Sequence, residues 1–171
     1  MKIAFSEVHG RELHRRISED GWFPHKEMTL DTPVDGIYTV RRIGAGEIEV
    51  AGKVSAGITD VCHRCGTQTP VQLVAEFSYE CIVGSDEMSR QREAEFREQD
   101  GNKLYLEEPV INIGDILREQ VFLAMPSSIL CEQACKGLCH QCGENLNRGK
   151  CGCQKSNPSS PFAILEKIKG K

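Results

Sequence analysis

The sequence contains no long hydrophobic run. No window approaches the roughly 18 consecutive apolar residues that a membrane-spanning helix requires. The first residues, MKIAFSEVHGRELHRR, alternate apolar and polar side chains where a signal peptide would have an apolar block. We therefore expect a cytoplasmic protein with no membrane partner. In that compartment thiols are kept reduced and disulfides are unusual.

The chain also lacks an excess of basic residues. Its formal net charge is −4 and its pI is about 5.8, which is far from the basic signature of a protein that grips nucleic acid by charge alone. The charge is unevenly spread, because residues 80–120 are acidic and basic residues outnumber acidic ones from Cys131 onward. The acidic part would repel nucleic acid, and the C-terminal part could contact it.

No pattern typical of catalysis is present. The histidines at positions 9, 14 and 25 lie outside any motif, and GAGE at residues 44–47 lacks the strand, loop and helix setting of a phosphate-binding turn. Nothing assembles a nucleophile with a base and an oxyanion-binding group. We expect a protein that is not an enzyme and has no small-molecule substrate.

What the chain does contain is cysteine. Six of its nine cysteines lie between Cys131 and Cys153, in a stretch with too few apolar side chains to build its own core. Nine is odd, so complete pairing in disulfides within one chain is impossible. These features favour a metal over disulfides. They favour zinc over an iron–sulfur cluster, because the spacing matches neither ferredoxin pattern.

One corner of this stretch has the spacing of half a zinc site. Cys139 and Cys142 are followed by Gly143, which lets backbone N–H groups approach the sulfurs. Two of the other four cysteines would complete the site, so the simplest model contains one zinc. The candidate ligands are Cys131, Cys135, Cys139, Cys142, Cys151 and Cys153.

Six thiols exceed the four that one zinc needs. A second corner, Cys62-x-x-Cys65, offers an alternative in which eight thiols form two separate tetrahedral sites. The same pair suggests a different function, a thiol-redox protein, although it does not lie at the strand-to-helix junction of thioredoxin-like proteins. Cys81 falls inside a predicted strand and is expected to be a small buried hydrophobe.

The hydrophobic pattern predicts an α+β fold, with a curved antiparallel β-sheet, a packed helix and a zinc-stabilised Cys-rich C-terminal extension. We expect a domain at residues 1–126, with an acidic surface loop near 85–103, and a metal-binding segment at 127–171. Strands are predicted at residues 2–8, 36–42, 46–61 and 71–83, the last two joined by the Cys62 corner, and helices at 11–19, at 113–125 with Asn112 as N-cap, and at 158–169.

Several short motifs occur together in one order. They are CHRC at residues 62–65, IGDI at 113–116, LAMP at 123–126, the run from Cys131 to Asn147, and PFAIL at 161–165. In this combination the chain resembles the YceD family, the bacterial and plastid large ribosomal RNA subunit accumulation proteins. The resemblance implies a role in accumulation or assembly of the large ribosomal subunit and its RNA, with no known catalytic activity.

The resemblance also suggests partners. We expect contact with large-subunit rRNA or a pre-ribosomal particle, or alternatively of the acidic region with a basic ribosomal protein. A zinc held by four thiolates carries a net charge of −2, so any grip on RNA would be local. A generic zinc-bearing interaction module is a further alternative. The candidate partner-binding residues are Arg64, Arg148, Lys150 and Lys155.

Overall fold

The computed structural model describes residues 1–10, 12–84 and 101–153, which fall into two units. Of these residues, the first unit comprises those within Met1–Asp60 and Gln68–Ile129, and the second comprises Val61–Thr67 and the residues from Leu130 to Cys153. The Cys62 corner thus belongs with the C-terminal cysteines rather than with the segments beside it in sequence. The helix predicted at 158–169, Lys155 and most of the predicted surface loop lie outside the described residues.

The first unit is built mainly of strands. In chain order the elements are β1 (Lys2–Ala4), β2 (Leu13–Ile17), β3 (Thr29–Gly44), β4 (Glu47–Val61), β5 (Gln68–Val83), β6 (Lys103–Leu106), β7 (Val110–Asn112) and the helix α1 (Ile113–Leu123). The strand predicted at residues 2–8 ends at Ala4, because Phe5–Glu7 forms a 3-10 turn. One sheet has the order β2-β3-β4-β5-β6, and a second pairs β1 with β7. Pairing is antiparallel for β2 with β3, β3 with β4 and β1 with β7, whereas β6 runs parallel to β5.

The predicted hairpin is confirmed by β4 and β5. Residues 62–67 connect these two neighbouring strands, and so short a link suits an antiparallel pair because a parallel crossover needs a dozen or more residues. Along β5 every second side chain, including Leu73, Phe77 and Cys81, faces the core. The strand therefore has one buried and one solvent-facing side.

The prediction of a helix at residues 11–19 is wrong. Leu13–Ile17 forms β2, with Leu13 opposite Val40 and Ile17 opposite Gly36 of β3. A spacing of four residues places two side chains on one face of a helix, but four is also an even number and places them on one face of a strand. Ile17 is fully buried in the sheet core, so pairing with β3 decided between the two.

The predicted helix at 113–125 is confirmed as α1, which ends slightly earlier, at Leu123. The side chain of Asn112 accepts a hydrogen bond from the Gly114 N–H at 3.2 Å, as expected of an N-cap. The buried face of α1 includes Ile113, Leu117 and Val121 and packs on β5 and β1. The mostly antiparallel sheet with its helix confirms the α+β fold. No helix in the described ranges has the length and apolar character needed to cross a membrane.

Candidate metal centres

Eight of the nine cysteines meet in two groups of four, both within the second unit. The first group contains Cys62, Cys65, Cys131 and Cys135, and its four sulfurs lie within 4.8 Å of one another. The Sγ of Cys62 is 3.7 Å from that of Cys135, and the Sγ of Cys65 is 3.6 Å from that of Cys131. Four sulfurs placed tetrahedrally at 2.3 Å from one zinc are separated by about 3.8 Å. A disulfide would bring two sulfurs to about 2.0 Å, so the spacing is that of ligands around one ion.

The second group contains Cys139, Cys142, Cys151 and Cys153, whose sulfurs also lie within 4.8 Å of one another. It is local in sequence, unlike the first, which joins segments far apart in the chain. It is also more open, because Cys142 is exposed and Cys151 and Cys153 are half-buried. The alternatives that combine Cys131 and Cys135 with the Cys139 corner are not the arrangement in the structure.

The Cys62 corner is a tight turn closed by backbone hydrogen bonds. The N–H of Gly66 donates to the carbonyl of Cys62 at 2.8 Å, and the N–H of Cys62 donates to the carbonyl of Thr67 at 2.8 Å. Gly66 has a φ of 70°, a conformation that residues with a Cβ adopt at a cost. The turn leaves the two thiols on one side, ready to chelate.

The Cys139 corner repeats this turn. The N–H of Gly143 donates to the carbonyl of Cys139, the N–H of Cys139 donates to the carbonyl of Glu144, both at 2.8 Å, and Gly143 has a φ of 75°. The two corners share the pattern C-H-x-C-G. This internal repeat is visible in the sequence and would have indicated two equivalent half-sites.

Backbone N–H groups make one thiol in each group easy to ionise. The pKa of Cys62 is lowered to about 6, chiefly by a hydrogen bond from the Cys131 N–H and also by those of Arg64 and Cys65. The pKa of Cys139 is lowered to about 6 in the same way, by the N–H groups of Cys142 and Gln141. Such N–H donors favour the thiolate, which is the form that binds metal.

Other thiols in the same groups resist ionisation. Desolvation of its sulfur by the neighbouring groups, followed by hydrogen bonds to the other thiols, raises the pKa of Cys131 to about 12, although the residue as a whole is exposed. The pKa of Cys153 is raised to about 12 by its hydrogen bond to Cys142 and by burial. Four thiolates this close repel one another, so they can all be ionised only beside a cation that offsets their charge. Each group therefore has the chemistry of a site for a divalent, thiol-seeking metal.

Asn147 forms hydrogen bonds that orient one thiol of the first group. Its side-chain amide donates to the Sγ of Cys135 at 3.3 Å, and its Oδ1 accepts from the backbone N–H of Lys136 at 2.7 Å. Hydrogen bonds of this kind orient a ligand and tune its charge. Composition and spacing did not identify this role, because nothing in the sequence links Asn147 to Cys135.

Arg64, a predicted partner-binding residue, has internal contacts. Its Nη1 donates to the carbonyl of Cys135 at 3.0 Å, and its own carbonyl accepts from the N–H of Leu138 at 3.2 Å. Gly137 passes close by, where an added Cβ would lie 3.1 Å from the Arg64 carbonyl oxygen. Arg64 thus ties the Cys62 corner to the segment after Cys135, while its side chain remains exposed.

The remaining predicted site residues belong to neither cysteine group. Arg148 and Lys150 are exposed and line a cavity beside the second group, and Lys155 lies outside the described residues. Cys81 is fully buried in the core of the first unit, where burial raises its pKa to about 11. Cys81 is therefore a core residue, as its position in a strand predicted.

Comparisons with known proteins agree with these motifs. A family model described as large ribosomal RNA subunit accumulation protein YceD matches residues 50–169, a range that contains both cysteine groups. The chain is 27% identical over 143 residues to the large ribosomal RNA subunit accumulation protein YCED homolog 1, chloroplastic, of Arabidopsis thaliana. The alignment covers 72% of this chain and 44% of that protein, so the chain spans less than half the relative's length. No solved structure matches significantly. Since the family model matches well over half of the residues of this chain, the chain belongs to the YceD family.

Proposed function

We propose that this protein is a non-enzymatic factor that supports assembly or accumulation of the large ribosomal subunit and its rRNA. The observation that carries the proposal is the family match over residues 50–169. The name of the Arabidopsis relative, which describes rRNA accumulation, supports the same role. We further propose that it acts in the cytoplasm, where thiols stay reduced and available to a metal.

The metal in both cysteine groups is, we propose, zinc. All eight ligands are thiols, and sulfurs within 4.8 Å of one another suit one ion better than a cluster of several irons, which holds its cysteines farther apart. Zinc accepts four thiolates in a tetrahedron without redox chemistry. Elemental analysis decides between zinc and a single iron, because both fit four sulfurs.

Zinc in these sites would stabilise the fold. Among the described residues of the second unit, the buried cluster consists of Cys62, Cys65 and Cys135, with Leu130 packed against them. So few apolar side chains provide little hydrophobic free energy, and metal binding supplies folding free energy directly in small modules of this type.

The same closed coordination argues against catalysis at the metal. A catalytic zinc keeps a position open for water or substrate, whereas four protein sulfurs fill all positions of a structural site. The proposal of a non-enzymatic factor rests on this saturation together with the family description.

Charge limits how the protein can touch RNA. In the described part of the second unit, four basic residues outnumber two acidic ones, which leaves +2, and two zinc–tetrathiolate centres of −2 each bring the total to −2. Contact with rRNA would therefore depend on local basic groups, for which we propose Arg148, Lys150 and Lys155. The acidic residues around 80–120 would instead suit a basic ribosomal protein.

Sedimentation of a lysate through a sucrose gradient tests the proposal. We expect the protein in fractions that hold the large subunit or its precursors, and partial release at higher salt because charged contacts are screened. A protein that stays at the top of the gradient at both low and moderate salt would contradict the proposal and favour a generic interaction module.

One observation favours a second candidate, a thiol-redox function. The pKa of Cys62 at about 6 is low for a thiol, and reactive cysteines have lowered pKa values. Rapid alkylation of Cys62 and Cys65 in metal-loaded protein at neutral pH would support it. Protection of both thiols until a chelator is added would reject it.

A further inference from the structure

A cavity of about 550 Å³ opens beside the second cysteine group. Its lining includes the basic residues Lys136, Arg148 and Lys150, together with His140 and Leu146. Three thiols of the second group, Cys139, Cys151 and Cys153, also line it. None of the described residues that line it is acidic. The volume lies in the range of small-molecule sites, which are typically 300 to 1,000 Å³.

The wall of this cavity is ordered by backbone hydrogen bonds. The N–H of Leu146 donates to the carbonyl of Gly137 at 3.0 Å, and the N–H of Arg148 donates to the carbonyl of Asn145 at 3.0 Å. These bonds hold the turn that presents Arg148 and Lys150. The basic side chains are therefore offered from a fixed backbone.

The positive charge of the basic residues at the cavity exceeds the negative charge of the metal centre beside it. Lys136, Arg148 and Lys150 provide +3, whereas a zinc with four thiolates carries −2. The balance is positive at the cavity although the described part of the unit as a whole is not. An anion would therefore be attracted to this cavity.

We propose that this cavity binds an unpaired nucleotide of an RNA strand, an inference that rests on the proposed ribosomal function. The phosphate would lie at Lys136, Arg148 and Lys150, and the base would enter against Leu146 and the imidazole of His140. Proteins recognise RNA largely through unstacked bases that they stack on side chains such as histidine. An acidic peptide would satisfy the rim charges but would leave the apolar lining uncovered, so a nucleotide fits better.

Binding of RNA by the zinc-loaded full chain tests this inference. The probes are a short single-stranded RNA and a blunt duplex of the same sequence, measured by fluorescence anisotropy over a range of salt. We expect the single strand to bind more tightly, because a paired base cannot leave its stack without cost. Equal affinity for the two probes would overturn the proposal.

Two variants test separately whether RNA binding depends on the basic side chains and on the space in the cavity. The triple variant Lys136→Ala, Arg148→Ala, Lys150→Ala should reduce the salt slope by about 0.7, the contribution of the one phosphate of a single strand that these side chains contact. A control, Lys2→Ala, Arg15→Ala, Lys26→Ala, removes the same charge from the first unit and should bind like wild type. A control that weakens binding equally would show that only net charge matters and would reject the site.

The second variant fills the cavity without changing charge. An added Cβ at Gly149 meets nothing within 4 Å, so Gly149→Leu should fold and occupy the space of the base. We expect about a tenfold loss of affinity for the single strand, the size of one lost stacking contact. Gly152→Leu is the matched control, because a Cβ there also meets nothing within 4 Å and Gly152 does not line the cavity. Zinc content is checked for each variant.

The outcomes also distinguish this inference from the function on which it rests. If Gly149→Leu binds RNA like wild type while the protein still sediments with large-subunit particles, the cavity proposal fails and the function stands. If an acidic polypeptide binds at the cavity and the single strand does not, the cavity serves a protein and the proposal is overturned. A protein absent from ribosomal fractions removes the proposed function whatever its RNA affinity.

Discussion

The Sγ of Cys62 lies 3.7 Å from the Sγ of Cys135, which is 73 residues further along the chain. The pair brings the turn between two strands of the sheet together with the C-terminal cysteine segment. Two thiols so distant in sequence meet at the separation expected of ligands on one ion. The consequences of this pairing can be measured.

Purified protein should contain two zinc ions per chain. Cys62→Ser and Cys139→Ser should each reduce the content to one, because a tetrahedral site with three thiolates binds zinc much more weakly. Cys81→Ser is the matched control and should retain both ions, since Cys81 belongs to the core of the first unit. Inductively coupled plasma mass spectrometry measures the content, and a Cys81→Ser variant with one zinc would contradict the assignment.

Release of the two ions to a chelator should be biphasic. The second group should lose its zinc first, because only one of its four cysteines, Cys139, is buried. In the first group three are buried and only Cys131 is exposed. A colorimetric chelator follows the release.

Variants assign the two phases of release. Cys62→Ser should leave only the fast phase, and Cys153→Ser should leave only the slow phase. The opposite assignment would mean that burial of the sulfurs does not control access to the ions.

Glycine substitutions should rank by backbone geometry and space. Gly143→Ala forces a Cβ into a φ of 75°, where nothing lies within 4 Å, and should cost about 1 to 2 kcal/mol. Gly137→Ala has the same φ of 75° and also places the Cβ 3.1 Å from the Arg64 carbonyl oxygen, so it should cost more. Gly149→Ala, with no positive φ and open space, is the control and should be nearly neutral. Chemical denaturation of zinc-loaded protein gives the order.

The buried thiol of Cys81 should make stability fall at high pH. Its pKa is about 11 in the folded chain, raised by burial from the ordinary value of 9.0. An unfolded chain therefore loses this proton first, so the stabilising contribution is complete below pH 9 and is lost as the pH rises toward 11, by up to about 3 kcal/mol.

Cys81→Ala lacks this titration and provides the comparison. Its free energy of unfolding should be lower than that of wild type by about 1 kcal/mol at about pH 8, because a small buried group is lost. This difference in the free energy of unfolding should be smaller at about pH 10 than at about pH 8. Denaturation curves at both values decide, and a gap that stays constant would show that Cys81 does not remain protonated in the folded chain.

Local patterns in the sequence predicted much of this fold correctly. Asn112 before an apolar stripe indicated a helix start, and alternating side chains on both sides of Cys62 indicated a hairpin. In each case the determining contacts are between residues near in the chain. At Leu13 and Ile17 the local signal was ambiguous, because their spacing fits a helix and a strand equally well, and only pairing with β3 resolved it.

By itself, the sequence indicated that this chain carries thiols spaced to hold a metal, since cysteine corners with glycine form their turns from adjacent residues. Which four sulfurs come together was decided by the tertiary structure. Cys62 and Cys65 join Cys131 and Cys135 because folding brings distant segments together, and spacing along a chain holds no information about such meetings. The same reason explains why the contacts of Arg64 with Cys135 and of Asn147 with Cys135 emerged only in three dimensions.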